Sequence, residues 1–176
     1  MHHRSRCCVR VGGVGLVRIV ESADAVPHPG DAPICPVNGQ IAKPVPRHTV
    51  ERLVKPGVST QLRPQPYYFC DAPECDVVYV STLGDHLVTK DSLTVRVGIK
   101  ETGDPAPLCY CFGYDRRVIR EDIRNTGHSD IQRVITERVR AGECRCEETN
   151  PSGGCCLGDV SRAIKLAKRL REQGLL

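Results

Sequence analysis

Six cysteines between residues 109 and 156 form three close groups, and thiols at this density can do metal or disulfide chemistry. The groups are Cys109-Tyr110-Cys111, Cys144-Arg145-Cys146 and Cys155-Cys156. Thiolates are soft ligands for zinc and for iron–sulfur clusters, and the same side chains form disulfides where the surroundings are oxidising. The sequence therefore predicts either a metal centre or a disulfide framework here, and the compartment decides between them.

The N-terminal residues favour a reducing compartment. An apolar run at 9–20 follows a basic start, as in a signal peptide, but Arg10 and Arg18 interrupt it. No stretch reaches the roughly 18 apolar residues that a membrane span needs. We therefore expect a cytoplasmic protein without membrane insertion, whose reduced thiols bind metal. Residues 1–32 are expected to be a disordered leader, and Cys7 and Cys8 within it receive no role.

The composition describes a chain of mixed charge with few large rings. The net charge is +4, and aromatic residues make up 4% of the 176 residues. Because charges of both signs are interspersed and no aromatic face accompanies them, nucleic acid is not an expected partner. The chain has no P-loop, no G-x-S-x-G and no dinucleotide-binding glycine motif. Enzyme activity is therefore not expected, beyond at most the reduction of a metal ion.

Proline and glycine divide the chain into two units of an α+β protein. The segment 101–107 contains two prolines, one glycine and no apolar period, which is typical of a linker. We place a β-rich unit at 33–103 and a helical unit at 104–176. In the first unit, three segments have the composition or alternation of strands, and one has that of a short helix. The predicted strands are 66–70, 76–80 and 93–99, and the predicted helix is 49–54.

Three helices are predicted in the second unit. Asp115 is expected to cap a helix that ends at Gly127. Residues 129–132 have the pattern of a capping box, which begins a helix that ends before Gly142. A third helix begins near Cys155. The cysteine groups then lie at helix termini, where backbone N–H groups can donate to thiolate sulfur.

The spacing of these cysteines favours an iron–sulfur cluster over zinc. A [2Fe–2S] cluster binds four thiolates, and its negative charge is easier to hold beside helix N-termini and basic side chains. Zinc also accepts four thiolates, but its ligand pairs are more often separated by two to four residues. One residue separates Cys109 from Cys111 and Cys144 from Cys146. We therefore expect a [2Fe–2S] cluster, with zinc as the competing interpretation.

Several motifs, taken in order, resemble a known family. They are Cys35-Pro36-Val37-Asn38-Gly39, 68–79, 95–101, Cys109-Tyr110-Cys111 and 150–156. Together they resemble the N-terminal domain of the CopZ-type copper chaperones, and Cys109 to Gly113 followed by helices resembles the [2Fe–2S] domain of bacterioferritin-associated ferredoxins. The resemblance implies a small zinc-binding β unit followed by a helical [2Fe–2S] domain of the bacterioferritin-associated-ferredoxin type.

The resemblance also implies which thiols bind the cluster. They are Cys109, Cys111, Cys146 and Cys156. Cys146 is favoured over Cys144 because the stretch from Cys146 to Cys156 has the family's length and its Asn-Pro-Ser-Gly core. Cys144 and Cys155 are then surplus thiols, which either pack as small apolar side chains or replace a neighbour as ligand.

In the β unit the resemblance implies zinc at Cys35, Cys70 and Cys75. Cys70 and Cys75 flank a turn between two predicted strands, so both sulfurs can point at one ion. The family often has a further cysteine where this chain has Asn38, and an asparagine amide is a poor zinc ligand. Candidates for the fourth ligand are His48, Asp71, Asp76 and water.

The function that the resemblance implies is copper handling: binding copper or reducing Cu(II) to Cu(I), and passing it to a copper-transporting ATPase or a separate carrier domain. Full-length family members carry a second domain with a Cys-x-x-Cys copper site, and this chain has no such motif. Two alternatives stay open. The chain could be a small [2Fe–2S] electron carrier for another redox protein, or an adaptor in which metals stabilise a partner-binding helix face at 131–139.

Overall fold

The computed structural model describes residues 32–176, which form an α+β protein, as the sequence predicts. The strands are β1 (Lys43–Pro44), β2 (Tyr67–Phe69), β3 (Val77–Ser81), β4 (Leu87–Thr89), β5 (Pro107–Cys109) and β6 (Tyr114–Asp115). The helices are α1 (Arg47–Leu53), α2 (Pro56–Ser59), α3 (Arg116–Thr126), α4 (Ile131–Arg140), α5 (Cys146–Thr149) and α6 (Leu157–Glu172). The expected leader, with Cys7 and Cys8, lies outside the described residues except for its last residue.

The first four strands form one antiparallel sheet in the order β1-β2-β3-β4. Tyr68 pairs with Val80 at the centre of this sheet, and Pro44 pairs with Tyr68 at its edge. Two of the predicted strands are confirmed as β2 and β3, and the short helix predicted at 49–54 is confirmed as α1. Proline suits the edge strand β1, because an edge strand leaves some N–H groups without a ladder partner.

All five residues of β3 are buried, because both faces of this strand are covered. Val78 and Tyr79 pack into the main core of the unit, with β2, β4 and α1. Val77 and Val80 pack instead against the three cysteines of the same unit. The register shifts between Val77 and Tyr79, and such an irregularity re-aims side chains. One strand therefore supports both the core and a thiol cluster.

The strand predicted at 93–99 is wrong. Leu93 forms one isolated bridge with Val54, and the chain then turns into a 3₁₀ helix at Gly98–Lys100. The alternation is real up to Val97, since Leu93 and Val97 are buried, whereas Thr94 and Arg96 are exposed. The segment is extended, but the N–H of Gly98 and the carbonyl of Arg96 bond to the hydroxyl of Tyr110 instead of to a neighbouring strand.

The helical unit follows its predicted limits at α3. Asp115 accepts a hydrogen bond from the Val118 N–H at 3.0 Å, and Gly127 ends the helix with φ 76°. The capping box predicted for α4 is wrong. Asp130 is the N-cap residue but makes no capping bond, and the hydroxyl of Ser129 donates to Asp122 of α3 at 2.8 Å. The Ser129 hydroxyl therefore makes a tertiary contact with α3 and does not cap α4.

The core of this unit is aliphatic and lies between α3, α4 and α6. Its buried members are Ile119, Ile123, Ile131, Ile135, Val160, Ile164 and Ala167, with Cys109 and Cys156. These residues recur at helical spacings of three and four, so each helix presents one apolar stripe. The core reaches the thiols directly, since two cysteines belong to it.

The two units pack on each other around the predicted linker. The backbone of Gly98 lies so close to Pro107 that an added Cβ would be 1.7 Å from the Pro107 carbonyl oxygen. Helix α1 packs against α5, where the Thr49 hydroxyl donates to the Glu147 carbonyl. In the part of the chain that the structure describes, no helix is long and apolar enough for a membrane span.

Candidate metal centres

The thiols of Cys35, Cys70 and Cys75 come together in the N-terminal unit. Their sulfurs all lie within 4.8 Å of one another, and all three residues are buried. The Cys35 and Cys75 sulfurs are 4.0 Å apart. Zinc–sulfur bonds of about 2.3 Å at tetrahedral angles place sulfurs about 3.8 Å apart. The predicted zinc residues therefore form a group that fits one such ion.

Tight backbone turns aim these thiols. The Cys35 N–H donates to the Gln40 carbonyl at 2.8 Å, and the Gly39 N–H donates to the Cys35 carbonyl at 2.9 Å, so residues 35–40 close a small loop. Cys70 follows β2, and its N–H donates to the Val78 carbonyl at 2.9 Å. Cys75 precedes β3 in a turn that returns to Ala72. Two loops and the end of a strand thus meet at one point.

The surroundings favour negative charge on Cys70. Burial would raise the pKa of this thiol, but N–H donation from Ala72, the amide of Asn38 and the charge of Lys100 lower the pKa below its ordinary value. Burial raises the pKa of Cys35. A metal that replaces the protons of such a group gains deprotonated ligands that already have donors around them.

Lys100 is the residue at this site that the sequence did not reveal. Its side chain is 5% exposed, and its Nζ donates to the carbonyls of Ala72 at 2.8 Å and Cys75 at 2.9 Å. Burial lowers the pKa of Lys100 below its ordinary value, although the neighbouring Cys70 and Cys75 act to raise it. The apolar alternation at 93–99 gives no sign of a buried lysine directly after it.

The structure separates the candidates for the fourth zinc ligand. The carboxylate of Asp71 pairs with Lys43, and that of Asp76 pairs with Lys90. His48 is 47% exposed, and its Nε2 is 3.6 Å from Glu147. Within residues 32–176, no histidine, aspartate or glutamate joins the three thiols in their 4.8 Å group. Asn38, which stands where the resemblance implies a further cysteine, lies beside this group: its Nδ2 donates to the Cys70 sulfur at 3.1 Å.

The four thiols predicted for the cluster also converge, but in a different arrangement. The sulfurs of Cys111 and Cys146 are 3.6 Å apart. Cys156 interacts by hydrogen bonding with Cys109 and with Cys146. Among the described residues, no three of these sulfurs form a group within 4.8 Å of one another. The four thiols therefore interact in a chain, in the order Cys109, Cys156, Cys146 and Cys111, and do not surround a single point.

These four thiols lie at the ends of elements. Cys109 ends β5, Cys111 follows in the turn to β6, Cys146 begins α5, and Cys156 is the N-cap residue of α6. The Arg145 N–H donates to the Cys111 sulfur at 3.2 Å, and the Thr149 hydroxyl is 3.3 Å from it. Cys111 is half-exposed, and the other three are buried.

The pKa values of this group reflect one shared environment. The hydrogen bond with Cys156 lowers the pKa of Cys109, and the same bond, with that to Cys146, raises the pKa of Cys156. Burial raises the pKa of Cys111. Neighbouring thiolates repel each other in a site without a cation, so protonation and metal binding compete here.

The loop between Cys146 and Cys156 is held in shape by its own side chains. Asn150 donates from Nδ2 to the Gly154 carbonyl at 2.7 Å and accepts from the Ser152 N–H at 3.1 Å. Gly153 has φ 65°, and an added Cβ there would be 2.5 Å from the Pro46 side chain. The Asn-Pro-Ser-Gly core thus shapes the approach to Cys156.

The two surplus thiols differ in exposure. Cys144 is buried, whereas Cys155 is half-exposed and makes a contact of its own. Because it is half-exposed, Cys155 is the surplus thiol that solvent can reach. It lies next to Cys156 in sequence. Tyr110, between Cys109 and Cys111, accepts from the Gly98 N–H and donates to the Arg96 carbonyl, and burial raises the pKa of Tyr110 to about 12.

Comparisons with known proteins bear first on the N-terminal unit. A family model described as a zinc-binding domain of the CopZ type matches residues 32–94. The curated protein "Copper chaperone CopZ" of Archaeoglobus fulgidus is 33% identical over 131 residues, which cover 74% of this chain and 59% of that protein. This chain thus spans about three fifths of the length of that relative.

A solved structure extends the match beyond the zinc unit. The X-ray structure of the Archaeoglobus fulgidus CopZ N-terminal domain is 32% identical, has a TM-score of 0.59, and the match covers 73% of this chain and 95% of that one. The resemblance to CopZ-type proteins is confirmed, as is zinc binding by the first unit. The chain therefore belongs to the CopZ-like family, through a zinc-binding domain and a match to the N-terminal domain of CopZ.

Proposed function

We propose that this protein is a zinc and iron–sulfur metalloprotein of copper handling, which binds or reduces copper for transfer to a transporter or a separate carrier. The observation that carries the proposal is the convergence of Cys109, Cys111, Cys146 and Cys156 from separate elements. The relative described as a copper chaperone gives the metal that is handled. Zinc, on Cys35, Cys70 and Cys75, serves the fold of the first unit.

The arrangement of the four thiols supports a two-iron cluster over a single zinc ion. One tetrahedral ion requires all its sulfurs close to one point, whereas two irons require two pairs. We assign Cys111 and Cys146, whose sulfurs are 3.6 Å apart, to one iron and Cys109 with Cys156 to the other; the further interaction of Cys156 with Cys146 then lies between the two pairs. On this assignment the two cysteines of the Cys-x-Cys motif bind different irons, although the spacing alone would also allow them to share one.

The residues around these thiols supply hydrogen-bond donors and a positive charge. The Arg145 N–H and the Thr149 hydroxyl face the Cys111 sulfur, and such donors to sulfur raise the reduction potential of a bound cluster. The guanidinium of Arg138 lies 3.8 Å above the ring of Phe112, directly after Cys111. Positive charge and an aromatic ring thus cover the turn that carries the half-exposed thiol.

Copper enters the proposal as a substrate. A bound, reduced [2Fe–2S] cluster supplies one electron, and one electron converts Cu(II) to Cu(I). The electron must be replaced by an external reductant, such as a reduced flavoprotein or ferredoxin. Cu(I) prefers thiolates, and the half-exposed Cys155 beside Cys156 is the thiol that we assign to its first contact. Because the chain has no Cys-x-x-Cys, the receiving site belongs to another domain or protein.

The test begins with protein purified without oxygen. We expect iron and sulfide in equal amounts, one zinc per chain, a red-brown colour that dithionite bleaches, and an S = 1/2 EPR signal after reduction. Excess dithionite is removed without oxygen, Cu(II) is added to the reduced protein, and Cu(I) is measured with bathocuproine disulfonate. Protein with an oxidised cluster is the blank, because free thiols also reduce Cu(II). One Cu(I) per cluster supports the proposal. A colourless protein without iron would refute the cluster, and an iron-containing protein that leaves Cu(II) unreduced would favour a simple electron carrier.

A further inference from the structure

Among the described residues, the zinc group has three thiols where four ligands are expected, and two donors stand around it: the half-buried Asn38 and the buried Lys100. Asn38 is the first. Its Nδ2 donates to the Cys70 sulfur at 3.1 Å, and its Oδ1 accepts from the Gln40 N–H at 2.8 Å. The bond to Gln40 fixes the amide with its NH₂ group towards the sulfur. The oxygen, the only atom of this side chain that could bind zinc, is already engaged elsewhere.

Lys100 is the second donor. Its Nζ is held by the carbonyls of Ala72 and Cys75, which lie in the turn between Cys70 and Cys75. This side chain is 5% exposed, and a buried ammonium requires a nearby negative charge or strong acceptors. Neutral carbonyls satisfy its hydrogen bonds but not its charge. The acidic groups that interact with this ammonium are the thiols of Cys70, Cys75 and Cys35 and, after them, the carboxylate of Asp71, so the three thiolates supply most of the missing negative charge.

The positive charge of Lys100 and the neutral amide of Asn38 can be added to the charges of zinc and its three thiolates. Zinc with three thiolates carries a net charge of −1, and the ammonium of Lys100 brings the buried group to zero. A fourth thiolate would leave one negative charge unbalanced, whereas a neutral ligand would not. The carboxylates of Asp71 and Asp76 would add the same unbalanced charge, and both are paired with lysines on the surface.

We propose that, of residues 32–176, only Cys35, Cys70 and Cys75 bind the zinc ion, with Lys100 as the balancing charge and the fourth position open to a neutral ligand from solution. Three protein ligands with one exchangeable position are typical of reactive zinc sites, while structural sites are usually closed. We assign the fourth position to a small neutral ligand. In solution this ligand is water, and imidazole or a similar nitrogen base can displace it. The inference rests on the three-cysteine zinc assignment and is independent of copper handling.

Coordination can be read directly on the full chain. X-ray absorption at the zinc edge should show three sulfurs at about 2.3 Å and one light atom at about 2.0 Å, without the outer-shell scattering of a histidine ring. In the Co(II)-substituted protein, imidazole should shift the visible bands in a saturable way. Four sulfurs, histidine scattering in the absence of imidazole, or no response to imidazole would each overturn the proposal.

Asn38→Cys provides the closed counterpart of this site. This variant should show four sulfurs, release zinc more slowly to a chelator, and lose the imidazole response. Asn38→Ala is its matched control, because it removes the same hydrogen bond but adds no ligand; it should keep the response. An imidazole response that survives unchanged in an Asn38→Cys protein with four sulfurs would place imidazole elsewhere and contradict the open position.

Lys100→Met tests the balancing charge, because methionine fills a similar volume without the ammonium. We expect zinc affinity, measured by competition with a chelator, to fall by about 10- to 100-fold, as for other residues that support metal ligands. Unchanged affinity would refute the role of Lys100. If Lys100→Met fails to fold, which circular dichroism reports, the Asn38 pair still decides the open position. A wild-type chain that binds no zinc would refute the ligand assignment itself, whatever its activity towards copper.

Discussion

The hydroxyl of Tyr79 donates to the carbonyl of Pro151 at 2.9 Å, and this buried hydrogen bond joins the two units of the protein. Tyr79 belongs to β3, the strand that also supports the zinc thiols, whereas Pro151 belongs to the loop between Cys146 and Cys156. Burial raises the pKa of Tyr79, so the phenol stays protonated and keeps its donor. Strand β3 and this hydrogen bond therefore form one direct connection between the two candidate metal centres.

Tyr79→Phe should destabilise the protein by about 1–3 kcal/mol, because it leaves a buried carbonyl without its donor. Chemical denaturation measures this loss. Tyr114→Phe is the control, since the hydroxyl of Tyr114 makes no hydrogen bond within residues 32–176. An equal loss in both variants would mean that the bond to Pro151 has no special part in stability.

Gly153→Ala should weaken the loop before Cys156. Its φ of 65° disfavours other residues, and the new Cβ would be 2.5 Å from Pro46. We expect a loss of about 1–3 kcal/mol and a lower iron content after anaerobic purification. At Gly154 the nearest atom to an added Cβ is 3.7 Å away, so Gly154→Ala should retain iron. The expectation fails if both variants bind iron equally well.

Asp115→Ala should cost about 1 kcal/mol, because it removes the capping hydrogen bond to Val118. Asp130 occupies the same position in α4 without a capping bond, and its partners His128 and Arg133 are exposed. Asp130→Ala should therefore change stability less than Asp115→Ala does. Thermal unfolding of the two variants gives the comparison, and a reversed order would contradict it.

Cys146→Ala should abolish the colour and EPR signal of the cluster, whereas Cys144→Ala should retain both. The reason is geometric: the Cys146 sulfur lies 3.6 Å from that of Cys111. Cys155→Ala should likewise keep the cluster but slow the appearance of Cu(I). Loss of iron in Cys144→Ala with retention in Cys146→Ala would reverse the assignment.

The sequence predicted the limits of a helix well where those limits depend only on residues of the same helix. Asp115 and Gly127 limit α3 as expected, because a capping carboxylate and a positive φ are decided within one turn. The capping box at 129–132 failed because Ser129 bonds to α3, a contact that depends on the tertiary structure. The strand at 93–99 failed for a related reason. Alternation reports which side chains are buried, but not whether another strand lies beside the segment.

In the candidate sites too, some residues could be predicted from the sequence and others could not. Cysteine spacing and motif order predicted the groups that the structure brings together. Lys100 could not be found from the pattern, because an isolated lysine usually lies in solvent and its burial depends on a turn 25–28 residues earlier in the chain. The pairing of Cys111 with Cys146 also follows only from the packing of α5 beside the turn after β5.

The contact of Gly153 with Pro46 has a consequence for the order in which the protein matures. Pro46 precedes α1, so the surface that shapes the loop before Cys156 belongs to the unit that binds zinc. A chain that has not yet taken up zinc offers this loop a poorly formed template. Zinc should therefore load first and iron second, and cells starved of zinc should accumulate a protein that cannot retain iron even when iron is plentiful.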